Sequence, residues 1–141
     1  MYLIFLILLT IFESVTFDLE GKWKLSEFTA FDVVLTSQMF TTATDDNQTK
    51  MIESMNFILE NTFYHFKGDS INFTNAGGDN QLSHKKGKFL VKSDTLVIFQ
   101  SDKVNALKFF ITSYKEETFK MRVVYRDGSL GPSVMTFIKG K

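Results

Sequence analysis

From Leu19 to the C-terminus the chain is a succession of short apolar runs in which hydrophobic and polar residues alternate. Each run is closed after a few positions by Gly, Asp, Asn or Ser. Alternation at period two sends successive side chains to opposite faces of an extended strand. Turn signals repeated at this spacing mark an antiparallel barrel or sandwich. Eight strands are predicted, at residues 19–31, 62–66, 70–74, 86–91, 95–100, 107–114, 118–126 and 133–139. In the first of them Trp23 and Leu25 share one face while Lys22 and Lys24 share the other.

One segment departs from the pattern. Across residues 45–59, Met51, Ile52, Met55, Ile58 and Leu59 recur at steps of three and four, the period of a helix, and Thr44 or Asp45 is placed to cap its first turn. The predicted helix therefore falls between the first and second strands. Most later connections are short. Lys67-Gly68-Asp69, Lys92-Ser93-Asp94 and Lys115-Glu116-Glu117 turn three hairpins, and Asp127-Gly128 turns the chain toward the last strand. Short connections favour pairing in sequence order, and eight such strands can close into an up-and-down barrel without edges. A sandwich of seven or eight strands gives similar spacing, so spacing alone leaves both open.

Residues 3–12 read LIFLILLTIF, an uncharged run too short for a hydrocarbon core that takes about 20 helical residues. The run suits the apolar region of a signal peptide, although no lysine or arginine precedes it and Ser14-Val15-Thr16 is a weak small-x-small cleavage site. The expectation is a signal peptide at 1–17, a single domain at 18–141, and a secreted or periplasmic location. No stable membrane span is expected. The chain has no cysteine, which removes disulfides, thiolate metal sites and the acylated cysteine of a lipoprotein.

Lysine plus arginine equals aspartate plus glutamate at 16 each. A near-neutral total gives no global field to draw nucleic acid or an anionic membrane, so no nucleic-acid partner is expected. Lys85, Lys86, Lys88 and Lys92 form a local basic cluster that reads as a solvated edge or loop face.

At the opening of the first strand, Gly21-Lys22-Trp23-Lys24-Leu25 resembles the Gly-x-Trp signature that begins lipocalins. Thr112-Ser113-Tyr114, followed by Phe119, resembles the Thr-Asp-Tyr that lipocalins carry between their sixth and seventh strands, with Ser113 in place of the aspartate. The resemblance implies an eight-stranded, lipocalin-like antiparallel barrel in which Gly21 relieves crowding at a closed end and Trp23 plugs it. It also implies structural roles for Thr112 and Tyr114. The basic residue that packs over the tryptophan in this family falls on Lys139, or on Arg126. The compact lipocalin-like domains of secreted bacterial proteins, in which a helix intervenes between the first two strands, are the nearest likeness. The opening also resembles fatty-acid-binding proteins, but the C-terminus lacks their paired Arg-x-Tyr.

His65 and His84 lie on separate segments without metal-ligand spacing and read as ordinary strand or loop residues. No nucleophile elbow orders the Ser, His and Asp residues, and Gly77-Gly78 reads as a turn. The expectation is a non-enzyme without cofactor or metal. The aromatic content is the remaining lead, with 16 Phe, 4 Tyr and 1 Trp. Tyr64 with Phe66, Phe73, Phe89, Phe109, and Phe119 with Met121, Val123 and Tyr125 stand at steps of two, which puts each set on one face. In an eight-stranded barrel those rings fill the interior or line a pocket for one small ligand. Two functions follow. The first is a secreted protein that binds a small hydrophobic ligand in the barrel, with Tyr64 or Tyr125 orienting its polar end. The alternative is a filled barrel that binds another protein through loops 36–46 and 75–88.

Overall fold

The computed structural model describes residues 17–141. The expected signal peptide lies, except for Phe17, outside the described residues. Eight antiparallel strands form a closed barrel in sequence order. They are β1 (Gly21–Phe28), β2 (Phe63–Lys67), β3 (Ser70–Ala76), β4 (Leu82–Lys92), β5 (Thr95–Gln100), β6 (Leu107–Lys115), β7 (Thr118–Val123) and β8 (Met135–Lys139). β1 pairs with both β2 and β8, which joins the first strand to the last and excludes the sandwich. Between β1 and β2 lies a helical insert of α1 (Thr29–Leu35), α2 (Gln38–Thr41) and α3 (Asp45–Asn61).

The up-and-down order gives the barrel two unlike ends. β1 begins, β8 finishes, and the β2–β3, β4–β5 and β6–β7 hairpins turn at one end. The insert and the longer connections gather at the other. Gly68 (φ 62°) and Ser93 (φ 54°) supply the left-handed residue that two of these tight turns require.

Inward alternation builds the core. Trp23, Phe66, Phe119, Phe137, Ile71, Leu96, Ile98 and Met121 are all but completely shielded from solvent. Two irregularities adjust the alternation. The register shifts between Leu25 and Glu27, so Leu25 and Phe28 stand opposite Phe137 and Met135 despite their odd spacing. It shifts again between Ile111 and Ser113, so that Ile111 and Tyr114 stand opposite Met121 and Phe119. Such bulges bend the strand and re-aim its side chains.

Several predicted boundaries are corrected. The first strand ends at Phe28 rather than continuing to residue 31, because residues 29–35 coil into α1. Thr29 fixes that transition: its backbone N–H donates to Val134 O, and its Oγ1 accepts the Val134 N–H. The predicted loop 36–46 contains α2, whose N-cap Ser37 accepts the Phe40 N–H. The helix expected at 45–59 runs to Asn61 and is capped by Thr44, which accepts the Asn47 N–H. Strand β4 starts at Leu82, inside the predicted loop 75–88. Thr112 and Tyr114 lie within β6, inside the strand predicted at 107–114. Strand β7 ends at Val123, which leaves Tyr125 outside the sheet ladder.

Candidate functional site

The closed end is assembled around Trp23. Its indole Nε1 donates to Leu19 O at 2.8 Å, satisfying the one polar atom of a fully buried ring. Phe119 meets it edge-on at 4.8 Å, and Lys139 Nζ lies 5.4 Å from the ring centre. Gly21 takes φ 113°, and a Cβ built there would stand 3.2 Å from Lys139 Cε. Glycine thus leaves room for the lysine stem to arch over the indole. Lys139, and not Arg126, holds the position over Trp23. Tyr114 Oη donates to Asp18 O at 2.6 Å, tying the segment before β1 to the end of β6.

Above that plug the interior is occupied by rings. Phe119 and Phe137 stack at 5.1 Å with 9° between their planes. Tyr64 contacts Phe137 at 5.0 Å, Phe73 at 5.4 Å and Phe66 at 6.3 Å, and Phe66 meets Phe89 at 4.8 Å. Burial pushes the Tyr64 phenol well above its ordinary range, so the hydroxyl stays neutral. Phe109 and Met121 are buried in the same core. The residues predicted to line a ligand pocket therefore come together, with one exception, and they pack against one another.

Tyr125 is the exception. It is 50% exposed on the segment after β7, and its ring lies against Gly131. It stands apart from the rings of the core cluster.

The open end differs. Ile58 and Leu59 of α3 pack onto the core from above, yet neither α1 nor α3 has a single fully buried side chain. Where the two helices and the end of β1 diverge, a cleft of about 520 Å³ remains. Phe28, Phe31, Leu35, Ile52, Met55 and Leu59 form its apolar walls, and Glu27, Asp32 and Asn56 stand among them. Phe28 and Phe31 meet edge-on at 5.2 Å. Ser26 and Thr29 also line it, but their hydroxyls are engaged with the backbone of Thr136 and Val134. This volume is within the range of small-molecule sites, roughly 300–1,000 Å³, which are mostly apolar with a few polar groups.

None of the cleft's wall residues was singled out in the sequence as a ligand contact. Ile52, Met55 and Leu59 were visible only as the apolar stripe of a helix, and Phe28 and Phe31 only as part of a strand. Their convergence depends on α1, which the sequence pattern did not reveal. The two histidines are also brought together: both line a second cleft on the outer face of β1 to β4.

A closed eight-stranded meander, a helix between its first two strands, a Gly-x-Trp plug and a basic residue over the indole define a lipocalin-like barrel. No protein-family model matches the chain, and no curated protein matches it. Among solved structures it is similar to a lipocalin-like protein from Bacteroides uniformis ATCC 8492, at 16% identity and a TM-score of 0.47 over 86% of this chain and 98% of that one. It is also similar to an uncharacterized protein from Bacteroides eggerthii DSM 20697, at 15% identity and a TM-score of 0.48 over 87% of this chain and 100% of that one. Among the described residues, no helix is long and apolar enough to cross a membrane.

Proposed function

We propose that the protein is an exported, non-catalytic binder of a small hydrophobic molecule, taken up at the open end of the barrel beneath the helical insert. The observation that carries this reading is the apolar cleft between α1, α3 and the end of β1, beside an interior already packed with rings. Removing apolar ligand surface from water contributes about 25 cal/mol per Å² before the costs of immobilising the ligand. Phe28 and Phe31 supply aromatic surface for burial, and Asn56 with the Glu27 and Asp32 carboxylates meets a polar end. Export rests on the apolar, uncharged run at residues 3–12.

The neutral probe N-phenylnaphthylamine tests the reading. Its fluorescence is expected to rise on mixing with the protein and to be lost in a Leu35→Gln, Ile52→Gln variant. Both side chains are more than a third exposed, so the barrel tolerates the change. A probe response unaltered in that variant contradicts the site, and no response from either protein contradicts hydrophobic binding. The second reading, a filled barrel that binds a protein, draws on Val33 and Met39, two-thirds exposed on the insert. It predicts a partner whose capture is lost in Val33→Glu, Met39→Glu and kept in the cleft variant.

A further inference from the structure

The total charge of zero conceals a segregated surface. The eight strands carry twelve lysines and arginines and one acid, Glu27. The insert helices carry Asp32, Asp45, Asp46, Glu53 and Glu60 against Lys50 alone. Potential at a surface follows the local distribution of charge and not its sum.

On the outer face of β1 to β4 the register sets the neighbours. Lys22 stands opposite His65, His65 opposite Asn72, and Asn72 opposite Lys86. In the adjacent row Thr74 stands opposite His84. Directly opposed residues of an antiparallel pair have Cβ atoms about 4.5–5.5 Å apart, so these side chains form one contiguous outer patch. The ion pairs among the described residues are Lys85 with Asp102 and Lys88 with Asp69, and neither involves Lys22 or Lys86. Between these side chains lies a cleft of about 420 Å³, with Lys22, His65, Asn72 and His84 among its walls and Phe63 beside them. Lys22 Nζ rests 5.1 Å from the Phe63 ring centre.

We propose that this outer-wall cleft binds a phosphate-bearing group. Lys22, His65, His84 and the Asn72 amide present N–H donors from four different strands. A phosphate offers acceptor oxygens directed toward the corners of a tetrahedron, whereas a carboxylate offers two in one plane. Donors converging from several strands match the first geometry better, and charge-assisted bonds of this kind are the strong ones. Phe63 supplies an apolar surface for whatever carries the phosphate. The site is independent of the open-end cleft.

The chain has two histidines, and both line this cleft, so imidazole NMR signals report on it alone. The purified protein is titrated at fixed pH with inorganic phosphate, phenyl phosphate, and vesicles of phosphatidic acid or of phosphatidylcholine, each against sodium chloride at matched ionic strength. Both imidazole signals are expected to shift together and saturate, with phenyl phosphate binding more tightly than inorganic phosphate. Saturation by the soluble phosphates identifies a soluble ligand. A response confined to phosphatidic acid identifies a lipid headgroup, and either outcome supports the phosphate chemistry. Lys22→Gln is expected to weaken binding about tenfold, the loss of one charge-assisted bond, and Lys22→Arg to retain it. Lys108→Gln, Lys120→Gln on β6 and β7 removes charge from another part of the wall and is expected to leave affinity within about twofold. Signals that move no further with phosphate than with chloride overturn the site. So does equal weakening by Lys22→Gln and the Lys108, Lys120 pair.

Discussion

Lys139 Nζ lies 5.4 Å above the Trp23 ring, and its stem reaches that position across a glycine, Gly21, whose missing side chain leaves the passage open. The closed end of the barrel depends on this arrangement. Gly21→Ala places a methyl group 3.2 Å from Lys139 Cε at a backbone φ of 113° that L-residues rarely adopt. The expected loss is about 1–3 kcal/mol of stability. In a Lys139→Ala background the steric part of that loss disappears, so chemical denaturation of the four proteins should give a coupling energy beyond error. Strict additivity of the two changes contradicts the contact.

The stacked rings of Phe119 and Phe137 join β7 and β8 at the middle of the core. Phe137→Ala opens a cavity where neighbours cannot collapse, and is expected to cost about 3–5 kcal/mol. Phe99→Ala, at a ring 47% exposed on the outer face of β5, should cost well under half as much. Thermal melts of the two variants check the difference.

Gly87 lies at the close approach of β4 and β5. A Cβ there would fall 2.1 Å from the Phe99 carbonyl oxygen, and backbone cannot withdraw as a flexible side chain would. Gly87→Ala is expected to shift the β4–β5 register or prevent folding. Amide hydrogen exchange over residues 86–100 should show the lost protection, and native protection there contradicts the contact.

Burial raises the Tyr64 phenol above its ordinary value of 10.0. The folded protein thus holds this proton more tightly than the unfolded chain, and the sign of linkage follows. The contribution to stability is complete below pH 10 and declines as the pH climbs beyond it, where the unfolded phenol ionises and the folded one does not. Tyr64→Phe should flatten this alkaline loss of stability relative to wild type. Parallel stability curves for the two proteins above pH 10 contradict the burial of the hydroxyl.

Most of the barrel was legible because strand alternation is a local signal. Five predicted strands and the helix fall within two residues of their observed ranges, and the hairpin turns match. What escaped depends on tertiary placement. Residues 29–35 read TAFDVVL, whose β-branched and aromatic content favours a strand. They coil because the β1–β8 pairing runs out at Phe28 and Met135, and Thr29 then engages Val134, just before the neighbouring strand, in place of a continued ladder. The β7 pattern ran on through Tyr125, but the ladder stops at Val123, where the chain enters a turn bridged by Val124 and Leu130. The aromatic residues were found, yet alternation cannot distinguish rings that line a void from rings that fill it. The open-end cleft needed the unforeseen α1, and the histidine cleft needed the register between β2, β3 and β4. Charge segregation was available from the sequence once strands were assigned, but a whole-chain total averaged it away.

Methionine-methyl NMR during titration with N-phenylnaphthylamine tests the central claim most directly, because Met55 lines the open-end cleft while Met121 is sealed in the core. The account predicts a saturable shift of the Met55 methyl signal with Met121 unmoved. A shift of Met121 with Met55 unmoved would put the ligand inside the barrel and contradict it.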